Sequence, residues 1–331
     1  MATYKEISGT KVQNFSSDPS TALEGQVWYN STDTAYRSTI SQTAAWSTGG
    51  NLNQGRRSSG GAGTSQDSVL VFAGRGEPPN PKTSNTEEYN GTAWTEVSNL
   101  GTSRYGPGGA GTATAALAFG GFLTPGNTAS SESWNGSSWT ATNSMVTGAR
   151  FPAGAGTATS ALGIGRTNPG VPSQGIVESW DGTNWSEITD MNTARVQGVG
   201  AGASNTSALY AGGEGTAIPG IGDHTELWNG SAWTEVNELN TARSEICGGG
   251  IATAAVGFGG VEPSQSGKTE RWNGTSWTET VDMSTARSSG AKGTVGISTS
   301  SMMAGGTPPN GNPATEEFAG AGLVTKTFTT S

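Results

Sequence analysis

Arginine and glutamate are the residues of this chain best placed to do chemistry, and both return at a fixed spacing. The arginines are Arg56, Arg104, Arg150, Arg195, Arg243 and Arg287; the glutamates are Glu87, Glu132, Glu178, Glu226, Glu270 and Glu316. A cluster of guanidinium groups can hold carboxylates or phosphates, and a carboxylate can serve in acid–base work. A charge that appears once per unit is better explained as a fold-specifying contact, each Arg bonding carbonyls or the Glu of a neighbouring unit. Other catalytic residue types are scarce. His224 is the only His and Cys247 the only Cys, which excludes an internal disulfide and a Cys-based zinc site and argues against His-rich metal or triad chemistry. Glycine runs such as 198–202 lack the strand-to-helix setting of a nucleotide loop. The expectation is a non-enzymatic protein with no cofactor and no metal.

These charges sit in a repeating unit. Its first aromatic falls at Tyr89, Trp134, Trp180, Trp228, Trp272 and Phe318, in steps of 45, 46, 48, 44 and 46 residues, and a second follows five places later at Trp94, Trp139, Trp185, Trp233 and Trp277. Such a period marks a solenoid, propeller or array. Asn-Gly, or Asp181-Gly182 in one copy, lies between the two aromatics. It predicts a tight hairpin with both turn residues at positive φ, and so a cross-strand aromatic pair such as Trp228 with Trp233. After each Arg come a Gly/Ala/Thr run and a short apolar run such as Leu117-Ala118-Phe119, which predict two further strands. No 3.6-residue apolar period is sustained, so no helices are expected. Each unit reads as four short strands, the size of one propeller blade.

Composition narrows the classes. Charged residues are only 13% of the 331 and Gly numbers 53, which raises the entropy cost of folding. A closed ring of sheets offsets that cost by burying blade faces, and the 11 Trp can supply the contact. A net charge of −9 without a basic stripe makes a poor nucleic-acid binder. No apolar run approaches the roughly 18 residues of a membrane span, and no secretory h-region is readable. The Asn-x-Ser/Thr triplets at Asn30, Asn90, Asn135, Asn229 and Asn273 read as turns rather than glycosylation acceptors.

Three segments follow: an N-terminal one over 1–43, the repeats over 44–320 and a tail over 321–331. Residues 24–37 put apolar residues on both sides of a polar turn and predict a hairpin, with Trp28, Tyr29 and Tyr36 as candidate attachment residues. The tail reads as a final strand that pairs with this hairpin or with another subunit. Trp46 stands ten residues before Arg56, as Trp94 does before Arg104. Residues 45–47 therefore read as an outer strand without its own first three, completing the unit that begins at Ser288. The loops that vary between units are 76–85, 122–131, 166–176, 214–224, 261–267 and 307–314. Variation between repeats usually marks a binding face. Their charges (Arg75, Glu77, Lys82, Arg166, Glu214, Asp223, Glu262, Lys268) are sparse and mixed, which suits a neutral polar partner such as a glycan, or a protein surface.

Residues 177–185, then Met191-Asn192-Thr193-Ala194-Arg195, then Ala211-Gly212-Gly213 resemble the kelch repeat, with its di-glycine, its aromatic and Trp around a hairpin and its Arg opening the next blade. The resemblance covers roughly 44–320 and implies a six-bladed, all-β propeller of four antiparallel strands per blade. It departs at Gly163-Ile164-Gly165, where the di-glycine is split, and at Phe318-Ala319-Gly320, with Leu323 where the second Trp should stand. The run from Pro19 through Glu24-Gly25-Gln26-Val27-Trp28-Tyr29-Asn30 resembles the start of bacteriophage virion proteins, some of which join such a head to kelch-like repeats. The two resemblances imply a virion structural protein: a tail or head fibre, knob or capsid decoration. It would be made in the host cytoplasm, attached to other virion proteins through its N-terminal segment, and free to contact host-surface glycan or protein through its Pro-rich loops. The alternatives are a propeller enzyme acting on glycans and a cellular kelch scaffold. A galactose-oxidase type is disfavoured by the single His and Cys. A sialidase type is disfavoured because its hairpin motif is one residue short at 179–185.

Overall fold

The computed structural model describes residues 12–328 apart from 77, 78, 80, 169 and 216–219. The chain divides into two compact units, one of residues 1–44 with 320–331 and one of 45–319. No helix occurs among the described residues.

The smaller unit is one four-stranded sheet. Val27–Asn30 and Ala35–Gln42 form the expected antiparallel hairpin, Gln13–Phe15 joins it in parallel, and Gly322–Thr327 pairs antiparallel with Ala35–Gln42. The tail thus takes the first of its two expected partners. Asp18 organises the sheet by accepting from Trp28 Nε1 and Asn30 Nδ2, both at 3.0 Å, and by pairing with Arg37.

The larger unit is built from one pattern. Val199–Ser204, Ser207–Ala211, Thr225–Trp228 and Trp233–Val236 form an antiparallel sheet in that order, inner strand to outer. Three further four-stranded sheets begin at Gly108–Gly111, Ala153–Thr157 and Cys247–Ile251. An eight-stranded sheet holds the rest. One half runs from Gly60–Ser65 out to Trp94–Val97 and the other from Lys292–Ile297 out to Ala45–Thr48. The halves meet where Lys292–Ile297 and Gly60–Ser65 pair in parallel. Ala45–Thr48 pairs with Thr315–Ala319, placing Trp46 opposite Phe318 in the sheet that contains Met302, as its spacing predicts.

The paired aromatics form as expected: Trp228 stands opposite Trp233 with ring centroids 5.4 Å apart, and Trp134 opposite Trp139 at the same separation. The turn between them differs from expectation. Four residues lie between the paired aromatics, and of the Asn-Gly pair only the Gly has positive φ, as at Gly230 with φ 96°. The Asn side chain closes the loop instead, Asn229 Oδ1 accepting from the amides of Ser231 and Ala232 at 2.9 and 3.0 Å, an Asx-type turn.

The inner strands account for much of the glycine. They lie beside one another in chain order, and Lys292–Ile297 also touches those of the second, third and fourth sheets. Backbones must approach closely there. A Cβ at Gly154 would lie 1.8 Å from the Gly109 carbonyl oxygen, and one at Gly293 would lie 2.2 Å from that of Gly61. The tryptophans supply the burial that glycine cannot. Trp94, Trp185, Trp233 and Trp277 are buried on the outer strands, and Trp134, Trp180, Trp228 and Trp272 beside them. Trp139 is half-buried, with its ring 5.0 Å from Phe72.

Candidate functional site

The repeating charges meet in pairs. Arg56–Glu87, Arg104–Glu132, Arg195–Glu226, Arg243–Glu270 and Arg287–Glu316 are buried ion pairs. The Arg195 guanidinium also donates to the carbonyls of Thr193 and Gly212, both at 3.1 Å. Each Glu ties its sheet to the preceding connection by accepting a backbone amide: Glu226 from Asn192 at 2.8 Å, Glu270 from Asn240 at 2.7 Å. Burial pulls the guanidinium of Arg104 below its ordinary pKa, and the charge of Glu132 opposes that shift. These arginines and glutamates are buried, so they hold the fold and present no exposed edge to a substrate.

Arg150 breaks the pattern and corrects the expected ring of pairs. Glu178 is paired instead with Arg166, Nη1 to Oε1 at 2.8 Å, both buried. The reason is local. Arg150 lies eleven residues after Trp139, where the other repeats count ten, so buried Ala149 occupies the place of the paired arginine. The strand Ser160–Asn168 runs through the site of the split di-glycine and delivers Arg166 to the same carboxylate. With it, residues 166–168 and 171–176 lie on two paired strands rather than in a free loop. The two departures from the repeat compensate each other.

The displaced Arg150 joins a cluster where the loops of the first three repeats meet. Its guanidinium carbon lies 5.5 Å from the Phe122 ring centroid and 5.1 Å from that of Phe151. Its Nη1 donates to the Tyr105 hydroxyl at 3.1 Å and its Nε to Thr167 Oγ1 at 3.2 Å. Arg75 stacks 4.5 Å over Tyr105, and the Lys82 amine sits 5.6 Å from Phe122 while donating to Thr124. Phe151 holds φ at 61°, a left-handed conformation uncommon for a large side chain. All six residues are partly exposed. Among the described residues none of the three cations is paired with a carboxylate. Cations held over ring faces gain about 0.5–2 kcal/mol each, and Arg150 keeps its Nη2 for a ligand. The sequence shows loop charges that look sparse; folding concentrates the positive ones.

The remaining candidate residues serve packing. Trp28 is fully buried in the N-terminal unit and cannot present itself to a partner; Tyr29 and Tyr36 pair with centroids 5.1 Å apart, and Tyr36 is half exposed. Asp223, His224 and Glu238 each offer a ligand atom within 4.8 Å of the others and could hold a divalent cation at the surface, though no buried donor completes the set.

Lys292 and Cys247 line a small cavity between inner strands. The Lys292 amine is buried without a hydrogen-bond partner, and burial lowers its pKa. Burial likewise pushes the Cys247 thiol up to about 11. Because the folded-state pKa of Lys292 is depressed, its cost is full below that pKa and fades as pH rises from there toward 10.5. Lys292→Met is therefore expected to add about 2 kcal/mol at pH 7, with a smaller gain near pH 10. Urea titrations at the two pH values check this, and an equal gain at both would refute it.

No protein-family model and no curated protein matches the chain. Among solved structures, that of YjhT is similar, with a TM-score of 0.63 at 13% sequence identity, over 83% of this chain and 99% of YjhT. The fold is β-propeller-like. At this identity the likeness speaks for the fold alone.

Proposed function

We propose that the chain is a non-enzymatic structural protein of a bacteriophage particle. In this reading it is a six-bladed, kelch-like propeller, held by its N-terminal segment, that presents its variable loops for host-surface or virion-protein contact. Six four-stranded sets support the blade count, the eight-stranded sheet supplying two. Closure is supported by contacts that keep one order round the whole unit. The outer-strand Trp side chains reach the preceding sheet or the connection that leaves it: Trp139 Nε1 donates to Thr86, Trp185 to Ser131 and Trp277 to Thr225, all at 3.0 Å, and Trp233 to the Thr189 carbonyl at 3.1 Å. Trp46 follows the same rule toward Thr269 at 3.0 Å, and Trp94 of the first sheet reaches Thr315 of the last at 3.1 Å. The virion assignment rests on the resemblance of residues 19–30 to phage head segments.

One observation carries the binding role: the repeat rule is relaxed where three loops meet, and the arginine it releases is left without a carboxylate partner among the described residues, its Nη2 unused. A drifting loop would have no reason to gain a second arginine that replaces the first in its buried pair. Electron cryomicroscopy of the particle tests the proposal. Residues 1–44 and 320–331 are expected against a capsid or tail protein, with Tyr36 at the contact and the loops of the first three repeats toward solvent. Absence of the chain from purified particles, or loops buried against the shell, would refute it. So would release of reducing sugar from a glycan incubated with the purified protein.

A further inference from the structure

We infer that the cluster of Arg75, Lys82, Arg150, Tyr105, Phe122 and Phe151 is a binding site for an acidic, carboxylate-bearing saccharide. The inference rests on the loop face being the binding face, as proposed above, and names what it binds.

The chemistry of the cluster selects the ligand. A guanidinium nitrogen is a charged donor that suits a carboxylate oxygen. Arg150 uses Nε and Nη1 internally, and its Nη2 has no hydrogen-bond partner among the described residues. Stacking on Phe122 and Phe151 fixes the guanidinium plane, and with it the free nitrogen, before a ligand arrives, which lowers the ordering cost of binding. Lys82 and Arg75 add two positive charges on the neighbouring loop, each also seated on a ring. Among the described residues, three cations held by aromatic rings rather than by carboxylates form a site without a paired counter-charge, in a chain whose net charge is −9.

The shape narrows the class further. The rings are partly exposed and offer flat apolar surface beside the charges, which suits the C–H face of a pyranose. A polyphosphate such as nucleic acid would meet the repulsion of the whole acidic surface at long range. A saccharide with one carboxylate per residue or fewer carries a lower charge density and gains the ring contacts as well. The relocation of the buried ion pair to Arg166 gives the cluster its third cation without weakening the fold, because Glu178 stays paired.

The test is titration of the purified chain with an oligogalacturonate and with a neutral galactose oligosaccharide of the same length. The acidic probe is expected to bind, at least about tenfold more weakly when salt is raised well above physiological strength. Arg150→Ala and Lys82→Glu are each expected to weaken it at least about tenfold, with melting temperatures unchanged because neither residue belongs to a buried pair. Phe122→Ser should weaken it as well by freeing the guanidinium plane. Equal binding of the neutral probe, or undiminished binding by Arg150→Ala and Lys82→Glu, overturns the acidic class while leaving the loop face as a binding face. If neither probe binds, the acidic-saccharide assignment fails. Adhesion of the wild type and the Lys82→Glu variant to host cells then decides the wider reading, which also fails if the two adhere equally.

Discussion

Replacing Arg166 with Met is expected to lower the stability of the fold by about 3–5 kcal/mol, whereas Arg150→Ala should change it by less than about 0.5 kcal/mol. The contrast follows from burial. Arg166 and Glu178 are both buried, and the Glu178 carboxylate also accepts the Val146 amide at 2.7 Å. Removing the guanidinium leaves an uncompensated charge that cannot reach water. Arg150 is partly exposed and leaves no buried charge behind when it is truncated. A companion variant separates the charge from the packing. In Arg166→Met/Glu178→Gln the amide oxygen can still accept from Val146 and no charge remains buried, so the double variant should be more stable than Arg166→Met alone. Urea unfolding midpoints at constant m-value give all three numbers. If Arg150→Ala proved as damaging as Arg166→Met, the relocation of the pair would be wrong. Arg195→Met is the comparator from an undisturbed repeat, with its partner Glu226 fully buried, and its loss should fall in the same range.

Trp46→Ala is expected to cost about 3 kcal/mol, a large effect for a half-buried residue near the edge of the larger unit. The ring lies 5.0 Å from Phe258 and 5.2 Å from Phe318, and its Nε1 donates to Thr269 at 3.0 Å and to the Val281 carbonyl at 3.1 Å. These contacts join the strand Ala45–Thr48 to two sheets from the far end of the chain. Losing them removes apolar burial and frees a strand whose pairing closes residues more than two hundred apart in sequence. Trp46→Phe keeps the ring contacts and loses the hydrogen bonds, so it should cost about 1 kcal/mol. Cleavage of Trp46→Ala by a protease at low concentration should begin near residues 45–48 and 315–319, since opening there is the cheapest sub-global event. A Trp46→Ala variant as stable and as resistant as the parent would remove the case for a ring closed at this seam.

Much of this structure is written in local spacing. The alternation of a strand and the five-residue step between aromatics are short-range properties. The four-strand unit, the cross-strand Trp pairs and the absence of helices could therefore be read from the chain alone. Trp46 was legible for the same reason: its ten-residue distance to Arg56 equals that of Trp94 to Arg104. The count from Trp139 to Arg150 is eleven, and that single extra residue already signals that Arg150 is out of place. What replaces it could not be read. Arg166 stands among residues that look like a loop, and only the extension of Ser160–Asn168 carries its guanidinium to Glu178. Trp28 looked available to a partner because a hairpin has two faces, and that its side chain is buried with Nε1 donating to Asp18 depends on how the segment before the hairpin folds back.

The sequence by itself therefore determined the repeating unit, its strand count and the residues that pair within each sheet, because these depend on register between neighbours a few residues apart. Tertiary structure alone decided which arginine is spent in the core and which remains at the surface. It also decided that Arg75 and Lys82 of one repeat and Arg150 of another share one set of aromatic rings. Burial and charge clustering depend on distances between segments tens of residues apart, and those distances are set by how the sheets pack.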